Sequence, residues 1–266
     1  MNATGNTILI TGGGSGIGRG FAEAFHKQGN QVIIAGRRQS LLDETVAANP
    51  GIKSLTLDIE DPAAIKAFAA KVAADFPSLN VLINNAGIMN NENLAADSSD
   101  ELAKALATAE SIIAINLLGP LRLTAALLPA LKKQPKATIV TVSSGLAFMP
   151  LAATPTYCAT KAAIHSWTQS LRHQLRNTNV EVLELAPPYV QTELQGPQMA
   201  TDPNAMPLAD FISESVTLFD NPTASGEILV ERVLPLRWAE KNGNFEQIFN
   251  RLNGAVHTEP VAGGRS

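Results

Sequence analysis

Short runs of β-branched and aliphatic residues alternate along the chain with longer segments of helical periodicity. The runs with the length and composition of buried strands are residues 7–11, 31–35, 52–57, 81–84, 138–142 and 180–185. The helical segments are residues 17–28, 40–48, 62–76, 99–133 and 156–177. This alternation is typical of βαβ units, whose right-handed crossovers place helices on both faces of a parallel sheet. We therefore predict an α/β fold with a doubly wound parallel sheet of six strands.

The pattern changes after Pro187 and Pro188. Residues 191–221 are rich in Pro, Met, Gln and Asn and contain one short helical stretch, residues 208–219. Ligands of open α/β sheets bind at the carboxyl ends of the strands. We therefore predict that residues 191–221 form a lid over that edge of the sheet.

Helical spacing returns at residues 223–238 and 244–252, whereas the last residues of the sequence have no apolar periodicity. These patterns predict a helical C-terminal region that adds no strand to the sheet, and a disordered tail over residues 255–266. No repeat or linker marks a second domain. Residues 1–254 are therefore predicted to form a single domain.

The composition favours a globular protein with a buried core. Hydrophobic residues make up 45% of the chain and charged residues 17%, which are too few charges for a disordered chain. The 20 Lys and Arg against 24 Asp and Glu argue against binding to nucleic acid or to an anionic membrane surface. The apolar stretch 112–131 is interrupted by Asn116, Gly119, Pro120 and Arg122, so it predicts a core helix rather than a membrane span.

The cysteine and histidine content gives no sign of a disulfide or a metal site. Cys158 is the single cysteine, and the four scattered histidines have no spacing typical of a metal centre. The first residues of the sequence lack the basic and apolar regions of a signal peptide. We therefore expect no bound metal and a reducing, cytoplasmic location.

The first predicted strand leads into a glycine-rich turn and then into an amphipathic helix. The glycines have the spacing T-G-x-x-x-G-x-G. Residues without a Cβ let the backbone approach a pyrophosphate, whose charge the free N–H groups at a helix start bind. The glycines alone would fit a simple tight turn, but the strand before and the helix after favour a dinucleotide site. We assign Gly12, Ser15, Gly16, Ile17 and Gly18 to this cofactor.

The end of the second predicted strand indicates which dinucleotide binds. About 20 residues beyond such a glycine turn, an acidic residue would bind the ribose 2′-hydroxyl of NAD. This chain has Arg37 and Arg38 there. Guanidinium groups suit a 2′-phosphate, so we predict NADP(H) in preference to NAD(H). Arg38 also fits a solvated residue at the start of a helix.

Three further residues could carry acid–base chemistry. Tyr157 and Lys161 are four residues apart in a helical segment and so share one face. A phenol exchanges protons poorly at neutral pH, and a neighbouring ammonium lowers its pKa. Ser144 lies at the end of a buried strand, where its hydroxyl could hold a substrate oxygen beside the tyrosine. Each residue alone also fits a structural role: a buried aromatic beside a surface lysine, and a polar strand end.

Together these motifs resemble the short-chain dehydrogenase/reductase family. The glycine turn, the sequence N-N-A-G at residues 84–87, Ser144, and the Y-x-x-x-K motif of Tyr157 and Lys161 occur in the order and at the spacing of that family. The resemblance extends over residues 7–192 and implies a Rossmann fold.

The resemblance implies hydride transfer between a nicotinamide ring and a carbonyl or alcohol carbon, with a catalytic tetrad of Asn116, Ser144, Tyr157 and Lys161. Tyr157 would be the general acid in reduction and the general base in oxidation, and Ser144 would hydrogen-bond the substrate oxygen. Lys161 would lower the pKa of Tyr157 and bind the nicotinamide ribose. Pro120 lacks the N–H that would bond the carbonyl of Asn116, which predicts a helix kink and a free carbonyl for a water-linked proton path.

The resemblance also implies cofactor contacts beyond the glycine turn. They are assigned to Asp58, Ile59, Asn85, Ala86, Gly87, Tyr157, Lys161, Pro187, Val190 and Thr192. Asp58 would meet the adenine amino group, although it also fits an ordinary turn aspartate at a strand end. Val190 would bind the carboxamide through its backbone, and Thr192 would bind the carboxamide or the pyrophosphate through its hydroxyl.

Two features depart from the family pattern. Most relatives have Pro-Gly where this chain has Pro187 and Pro188, which restricts the backbone there. Most relatives also have a final strand that contributes to a tetramer, whereas residues 226–253 have a helical pattern here. We therefore predict a homodimer formed through the apolar faces of segments 99–133 and 156–177.

The leading hypothesis is an NADP(H)-dependent reductase of ketones or aldehydes that also runs as an alcohol dehydrogenase. A cofactor-binding regulatory or scaffold protein is the alternative, although it would not need the pair of Tyr157 and Lys161. A sugar-nucleotide epimerase or dehydratase would need a larger substrate domain. The predicted pocket residues are mostly apolar and indicate an apolar carbonyl substrate. They are Leu146, Phe148, Met149, Leu151, Tyr189, Leu194, Met199, Met206 and Phe211.

Overall fold

The computed structural model describes residues 4–220 and 222–254, which form a parallel seven-stranded sheet with helices on both faces. The strands are β1 Thr7–Thr11, β2 Gln31–Gly36, β3 Lys53–Thr56, β4 Val81–Asn84, β5 Ala137–Val142, β6 Val180–Leu185 and β7 Glu227–Ile228. Their order is β3-β2-β1-β4-β5-β6-β7, so the chain winds outwards in both directions from β1 and β4. This is the doubly wound α/β architecture that the sequence predicts. The predicted disordered tail, residues 255–266, lies outside the described residues.

The presence of a seventh strand shows that two predictions, the six-stranded sheet and the helical C-terminal region without a strand, were wrong. β7 pairs in parallel with the end of β6, where Leu185 lies opposite Ile228, so the sheet has seven strands rather than six. The segment 223–238 is not one continuous helix: it contains a turn with Gly226 at a φ of +74°, then β7, a 3-10 turn and a short helix. A strand of two residues is too short to show a strand periodicity, which is why the pattern did not reveal it.

Helices of very different length surround the sheet. They are α1 Gly16–Lys27, α2 Gln39–Ala48, α3 Pro62–Asp75, α4 Ser99–Ile113, α5 Gly119–Leu131, α6 Pro155–Leu175, α7 Pro197–Ala200, α8 Leu208–Asp220, α9 Leu234–Arg237 and α10 Phe245–Asn253. The start of α3 follows the chemistry that the sequence predicts. Asp61 precedes α3, accepts a hydrogen bond from Ala63 N at 2.8 Å and is followed by Pro62 in the first turn.

The segment predicted as one helix over residues 99–133 is interrupted. A π-helical turn, Ala114–Leu118, separates α4 from α5 and ends two residues before Pro120, which supplies no backbone N–H. The run from α4 to α5 is long and apolar enough to cross a membrane by length and composition. In the structure it packs within the domain, with Leu123 and Leu127 buried and α5 against α3. The contacts of α5 are those of a core helix, whereas Leu102 and Leu106 of α4 are exposed.

Hydrophobic clusters fill the space between the sheet and the helices on each face. On one face, Phe21 of α1 contacts Phe219 of α8 with ring centroids 5.7 Å apart, and Phe211 of α8 with centroids 6.1 Å apart. Phe211 is completely buried there. Of the predicted lid, α8 is therefore core, because its apolar face covers the phenylalanines of α1. Phe211 does not reach the cleft described below.

The C-terminal helices lie over the loop that follows β5. Met149 of this loop packs with Ala239 and with Ile248 of α10. The last residue of α10, Asn253, accepts a hydrogen bond from Ala152 N at 2.6 Å and donates one to the carbonyl of Pro150 at 3.1 Å. The predicted helix at residues 244–252 is confirmed as α10, and its contacts attach it to one edge of the cleft.

Candidate active site

The glycine turn between β1 and α1 is built so tightly that side chains would not fit. Gly12 and Gly16 have φ angles of +68° and +51°, which L-residues with a Cβ rarely adopt. A Cβ on Gly18 would lie 2.3 Å from the carbonyl oxygen of Gly12, and a Cβ on Gly12 would lie 2.9 Å from Asn85 Nδ2. The turn thus needs glycine both for its backbone conformation and for its close packing.

Asn85 and Thr11 hold this turn against the end of β4. Asn85 Nδ2 donates to the carbonyl of Thr11 at 2.9 Å, and Thr11 Oγ1 accepts from the backbone N–H groups of Asn85 and Ala86 at 3.0 Å each. The side chain of Asn85 is therefore used to fix the glycine turn. The small residues Ala86 and Gly87 that follow it line the cleft floor.

The N-terminus of α1 faces the cleft. Ser15 is the N-cap residue, with φ −158° and ψ 168°, and its hydroxyl makes no capping hydrogen bond. The first N–H groups of a helix have no partner within the helix, and the helix dipole adds positive potential. This cradle fits a pyrophosphate, because the N-terminus of α1 meets a stretch of backbone where Gly12 and Gly16 carry no Cβ.

The two arginines lie at the far end of the same cleft, after β2. Arg37 and Arg38 are both exposed and line it. Asp58 does not line the main cleft; it lies in an adjoining shallow depression beside Arg37 and Thr56. One oxygen of Asp58 accepts a hydrogen bond from Glu60 N at 3.0 Å, as in an ordinary turn at a strand end.

A single cleft of about 970 Å³ brings most of the predicted residues together at the carboxyl edge of the sheet. The predicted residues that line it are Gly12, Ser15, Gly16, Ile17, Arg37, Arg38, Ile59, Asn85, Ala86, Gly87, Ser144, Tyr157, Lys161, Pro187, Val190 and Thr192. Three others lie just outside its wall: Gly18 beneath the turn, Asp58 in the side depression and Asn116 behind the cleft floor.

Ser144 stands at the end of β5, where the strand turns into a short 3-10 segment. Its backbone is extended, with φ −170°, and its hydroxyl accepts a hydrogen bond from Leu146 N at 3.1 Å. The side chain also forms a hydrogen bond with Tyr157. Ser143 is buried, and its hydroxyl donates to the carbonyl of Leu185 at 3.4 Å. The hydroxyl next to the tyrosine is thus that of Ser144, as the sequence predicts.

Tyr157 and Lys161 are buried on one face of α6. Lys161 Nζ lies 5.5 Å from the centre of the Tyr157 ring and donates to the carbonyl of Val142 at 2.8 Å. Burial raises the pKa of Tyr157 to about 12, against the lowering effect of the Ser144 hydrogen bond. This is the opposite of the lowering expected from Lys161, because removal of the phenolate from water outweighs the other contributions. Burial lowers the pKa of Lys161 to about 8.

Asn116 lies in the π-helical turn and is buried. Its Oδ1 accepts from Ile88 N at 2.9 Å, and its Nδ2 donates to the carbonyl of Ile88 at 2.8 Å. A Cβ on Gly87 would meet Asn116 Oδ1 at 3.2 Å and Lys161 Nζ at 3.8 Å. Asn116 therefore holds the cleft floor beside Lys161 rather than facing the cleft itself.

Glu92 is a residue near the site that the sequence did not reveal. It is buried, and both carboxylate oxygens accept hydrogen bonds from Thr156, from its N–H at 3.1 Å and from its hydroxyl at 2.6 Å. Thr156 lies in the first turn of α6, directly before Tyr157. The carboxylate thus caps α6 from a distant loop, which no local capping pattern could show.

We expect Glu92→Ala to lower the free energy of unfolding by about 1–2 kcal/mol, because the first turn of α6 loses its cap. Urea unfolding of the wild type and the variant measures this difference. Glu92→Gln keeps one acceptor oxygen and should lose less than Glu92→Ala. Equal stability of Glu92→Ala and the wild type would contradict the capping role.

The end of the cleft beside Ser144 and Tyr157 contains some of the residues predicted for the substrate pocket. Leu146, Leu151, Tyr189, Leu194 and Met199 line the cleft as predicted. The cleft wall does not include the other predicted pocket residues, which are Phe148, Met149, Met206 and Phe211. They are placed in packing contacts instead: Phe148 against His165, Met149 against α10, and Met206 and Phe211 in the core.

Leu236 and Leu252 of the C-terminal helices line the same cleft, together with Met89 from the loop after β4. Their place was not visible in the sequence, because helical spacing shows which residues share a face but not which distant loop that face covers. Leu252 is 39% exposed at the mouth.

The segment after β6 keeps its backbone in place despite the second proline. The carbonyl of Pro187 accepts a hydrogen bond from Gly145 N at 2.8 Å, and Val190 forms a β-bridge with Met206. Thr192 approaches the glycine turn, since a Cβ on Gly16 would meet its Cγ2 at 3.4 Å. Residues 187–192 therefore run along the cleft from the serine side to the glycine turn.

Comparison with solved structures identifies the same architecture elsewhere. A short-chain dehydrogenase from Burkholderia cenocepacia in complex with NADP has a TM-score of 0.78 at 22% identity, over 95% of this chain and 99% of that one. A short-chain dehydrogenase/reductase from Burkholderia phymatum in complex with NAD has a TM-score of 0.77 at 23% identity, over 95% and 97% of the two chains. At these identities the likeness shows the fold.

Sequence comparisons reach further than the fold. The uncharacterized oxidoreductase DltE of Bacillus subtilis is 41% identical over 256 residues, which are 95% of this chain and 98% of that protein. A family model for the short chain dehydrogenases matches residues 6–203, a stretch that includes the glycine turn, Ser144, Tyr157 and Lys161. With sequence and fold in agreement, the chain belongs to the short-chain dehydrogenase/reductase family of oxidoreductases.

Proposed function

We propose that this protein is an NADP(H)-dependent reductase of apolar ketones or aldehydes that also runs in reverse as an alcohol dehydrogenase. The observation that carries the proposal is that one cleft contains both the residues suited to a dinucleotide and the residues suited to acid–base chemistry. The glycine turn and Arg37 lie at one end, and Ser144 and Tyr157 lie at the other. A cofactor held along this cleft extends from the arginines towards the tyrosine.

Support for NADP(H) comes from the charge at the outer end of the cleft. Arg37 and Arg38 offer exposed guanidinium groups, which bind phosphate oxygens in a bidentate fashion. Asp58 is turned to the side depression, where its carboxylate accepts from Glu60 N. The solved relatives include one in complex with NADP and one in complex with NAD, which supports a nicotinamide cofactor of either kind.

The chemistry of reduction needs a hydride at the carbonyl carbon and a proton at its oxygen. When bound, the nicotinamide supplies the hydride. Tyr157 supplies the proton from its hydroxyl and is left as a phenolate, which the Lys161 ammonium stabilises. Ser144 hydrogen-bonds the same substrate oxygen and holds it beside Tyr157. In the reverse direction the phenolate form of Tyr157 accepts the alcohol proton, and the hydride returns to the oxidised nicotinamide.

The pH dependence of reduction is expected to report the loss of the proton from the Lys161 ammonium. With a pKa of about 8, Lys161 is an ammonium below this pH and loses its charge above it. With a pKa of about 12, Tyr157 keeps its proton over the same range. We therefore expect kcat/KM for NADPH-dependent reduction to be level below pH 8 and to fall as the pH rises through 8. A profile that stays level through pH 10 would contradict this assignment.

The substrate end of the cleft favours uncharged, apolar carbonyl compounds. The charged residues that line the described cleft are Arg37, Arg38, Lys161 and Glu193. Both arginines lie at the cofactor end, and Lys161 is engaged with Val142. No basic group is left among the described lining residues to bind a substrate phosphate or carboxylate, whereas Leu146, Leu151 and Leu252 offer apolar surface.

Oxidation of NADPH, followed by its absorbance, tests this function, with NADH in parallel. The substrates are aryl ketones, aliphatic ketones, diketones and aldehydes, each compared with an analogue that carries a carboxylate. We expect turnover of the neutral compounds and weaker turnover of the charged analogues. Tight NADPH binding without any turnover would favour the alternative of a cofactor-binding regulatory or scaffold protein.

For the assembly we propose a homodimer through the apolar faces of α4, α5 and α6, the helices of segments 99–133 and 156–177. On α4, Leu102, Leu106 and Ile113 are 40%, 60% and 39% exposed and lie at helical spacing, which forms an apolar stripe. Size-exclusion chromatography with light scattering measures the mass and tests this state. The proposed location is the cytoplasm, where the buried Cys158 stays a thiol, and cell fractionation tests it.

A further inference from the structure

A stripe of polar side chains on α6 faces the sheet behind the catalytic lysine. Lys161, His165 and Arg172 lie at helical spacing and so share one face of α6. Each of them contacts β5 or β6. The pairs are Lys161 with the carbonyl of Val142 at 2.8 Å, His165 Nδ1 with Glu184 Oε2 at 2.8 Å, and Arg172 with the carbonyl of Val182 at 2.7 Å. Lys161 is thus one end of a polar seam between helix and sheet.

Glu184 is the buried carboxylate at the centre of this seam. Its exposed fraction is 0%, and both of its oxygens lie within 3.0 Å of His165 Nδ1. A buried carboxylate is costly unless it is hydrogen-bonded and faces positive charge. Arg172 supplies such a charge: burial lowers the pKa of its guanidinium, and the negative charge of Glu184 counteracts that lowering. Glu184 acts on Lys161 in the same way: burial lowers the pKa of Lys161, and the negative charge of Glu184 counteracts that lowering.

The last strand and α9 complete the set of charges around Glu184. Glu227 of β7 is buried, and Arg237 of α9 donates to both of its oxygens at 2.7 Å and 3.3 Å. The ligand atoms of His165, Glu184 and Glu227 lie within 4.8 Å of one another, as in a metal centre. Because the Arg237 guanidinium already binds both carboxylate oxygens of Glu227, it takes the place that a metal ion would need. The cluster is therefore an ion-pair network next to the catalytic lysine.

We propose that Glu184, oriented by His165, is a positioning residue that keeps Lys161 protonated beside Tyr157. Two opposing effects act on Lys161. Burial lowers its pKa to about 8, and the negative charge of Glu184 raises it. The other groups that face Lys161 are the neutral Tyr157 of its own helix, the carbonyl of Val142 and the amide of Asn116. Glu184 thus supplies the charge that holds the proton on Lys161.

Direct titration of Lys161 tests the proposal without any substrate or cofactor. The protein is labelled with ¹³C-lysine, and the Lys161 signal is identified by its loss in Lys161→Met. We expect Glu184→Gln to move the titration of Lys161 to lower pH by about one unit, the size of one lost neighbouring charge. Glu184→Asp, which keeps the charge, should retain most of the wild-type value.

The matched control is Glu181→Gln, which removes a carboxylate from the same strand. Residues 181 and 184 are three apart and so point to opposite faces of the sheet. Glu181→Gln should leave the titration of Lys161 unchanged. If Glu184→Gln fails to fold, His165→Phe removes the ring nitrogen that orients Glu184 and is expected to lower the titration point in the same direction.

Two results would overturn the proposal. One is a Lys161 that titrates at the same pH in folded Glu184→Gln and the wild type. The other is stoichiometric Zn²⁺ binding by the wild type that Glu184→Gln loses, which would make the cluster a metal centre. The inference rests on the proposed function for its catalytic meaning, but the titration is independent of turnover. An unchanged titration in an active enzyme would remove the role of Glu184 and leave the reductase assignment standing.

Discussion

Tyr157→Phe is expected to lower kcat for carbonyl reduction by about 10³-fold, within the range for loss of a general acid. The ring stays in place, but the hydroxyl that gives its proton to the substrate oxygen is gone. Tyr157 has its hydrogen bond with Ser144, and the only other tyrosine, Tyr189, bonds Asp202 at the cleft mouth. No second phenol is therefore positioned to replace it. The measurement is NADPH oxidation at saturating substrate.

Cofactor binding separates loss of chemistry from loss of structure in this variant. NADPH fluorescence titration should give the same Kd for Tyr157→Phe and the wild type, because Phe keeps the packing of the ring against Met89 and Leu146. Cys158→Ser, one residue further along α6, is the matched control and should keep turnover, since a hydroxyl can retain the contacts of Cys158 with Leu151. Substantial reduction by Tyr157→Phe would remove the tyrosine from the acid role.

Arg37→Asp is expected to lower the ratio of kcat/KM with NADPH to that with NADH by about 100-fold. One charge-assisted hydrogen bond to a phosphate is worth roughly 1.5–3 kcal/mol, and about 1.4 kcal/mol corresponds to a factor of ten. The substitution also places a carboxylate next to the 2′-phosphate and offers an acceptor to the 2′-hydroxyl of NADH. Both effects move the preference towards NADH.

The matched control for this change is Lys53→Asp. Lys53 is exposed at the amino-terminal start of β3, three residues before Thr56, which lies beside Arg37. Lys53→Asp alters the net charge by the same amount as Arg37→Asp, but at a distance from the cleft. The coenzyme ratio should therefore match that of the wild type. An unchanged ratio in Arg37→Asp would mean that this arginine does not contact the phosphate, and Arg38 would become the next residue to test.

The sequence by itself determined the elements with a strong local pattern. Six of the seven strands were predicted within one or two residues, because buried parallel strands are short apolar runs between helices. The glycine turn was equally visible, since positive φ angles at Gly12 and Gly16 leave few residue types to choose from. The spacing of Tyr157 and Lys161 puts both on one face of α6, because residues four apart are neighbours on a helix surface.

Only the tertiary structure decided the features that depend on which element packs against a given strand or helix. β7 exists because the end of β6 offers it two partners, and two residues carry no periodicity of their own. α8 became core because its phenylalanines meet Phe21 rather than the cleft. The pKa of Tyr157 is raised rather than lowered because the side chain is buried. That burial depends on all the elements that pack around the tyrosine.

The same distinction explains the residues that the sequence missed near the site. Glu92, Glu184 and Leu252 come from separate loops, strands and helices, and each acts on α6 or the cleft across a long stretch of chain. A local sequence pattern shows which residues share a face of a helix or strand, because the backbone geometry of that element fixes their directions. Which faces meet is set by packing the whole chain around one sheet. The sequence therefore determined the glycine turn and the pair of Tyr157 and Lys161, while the folded chain decided their electrostatic surroundings and the walls of the cleft.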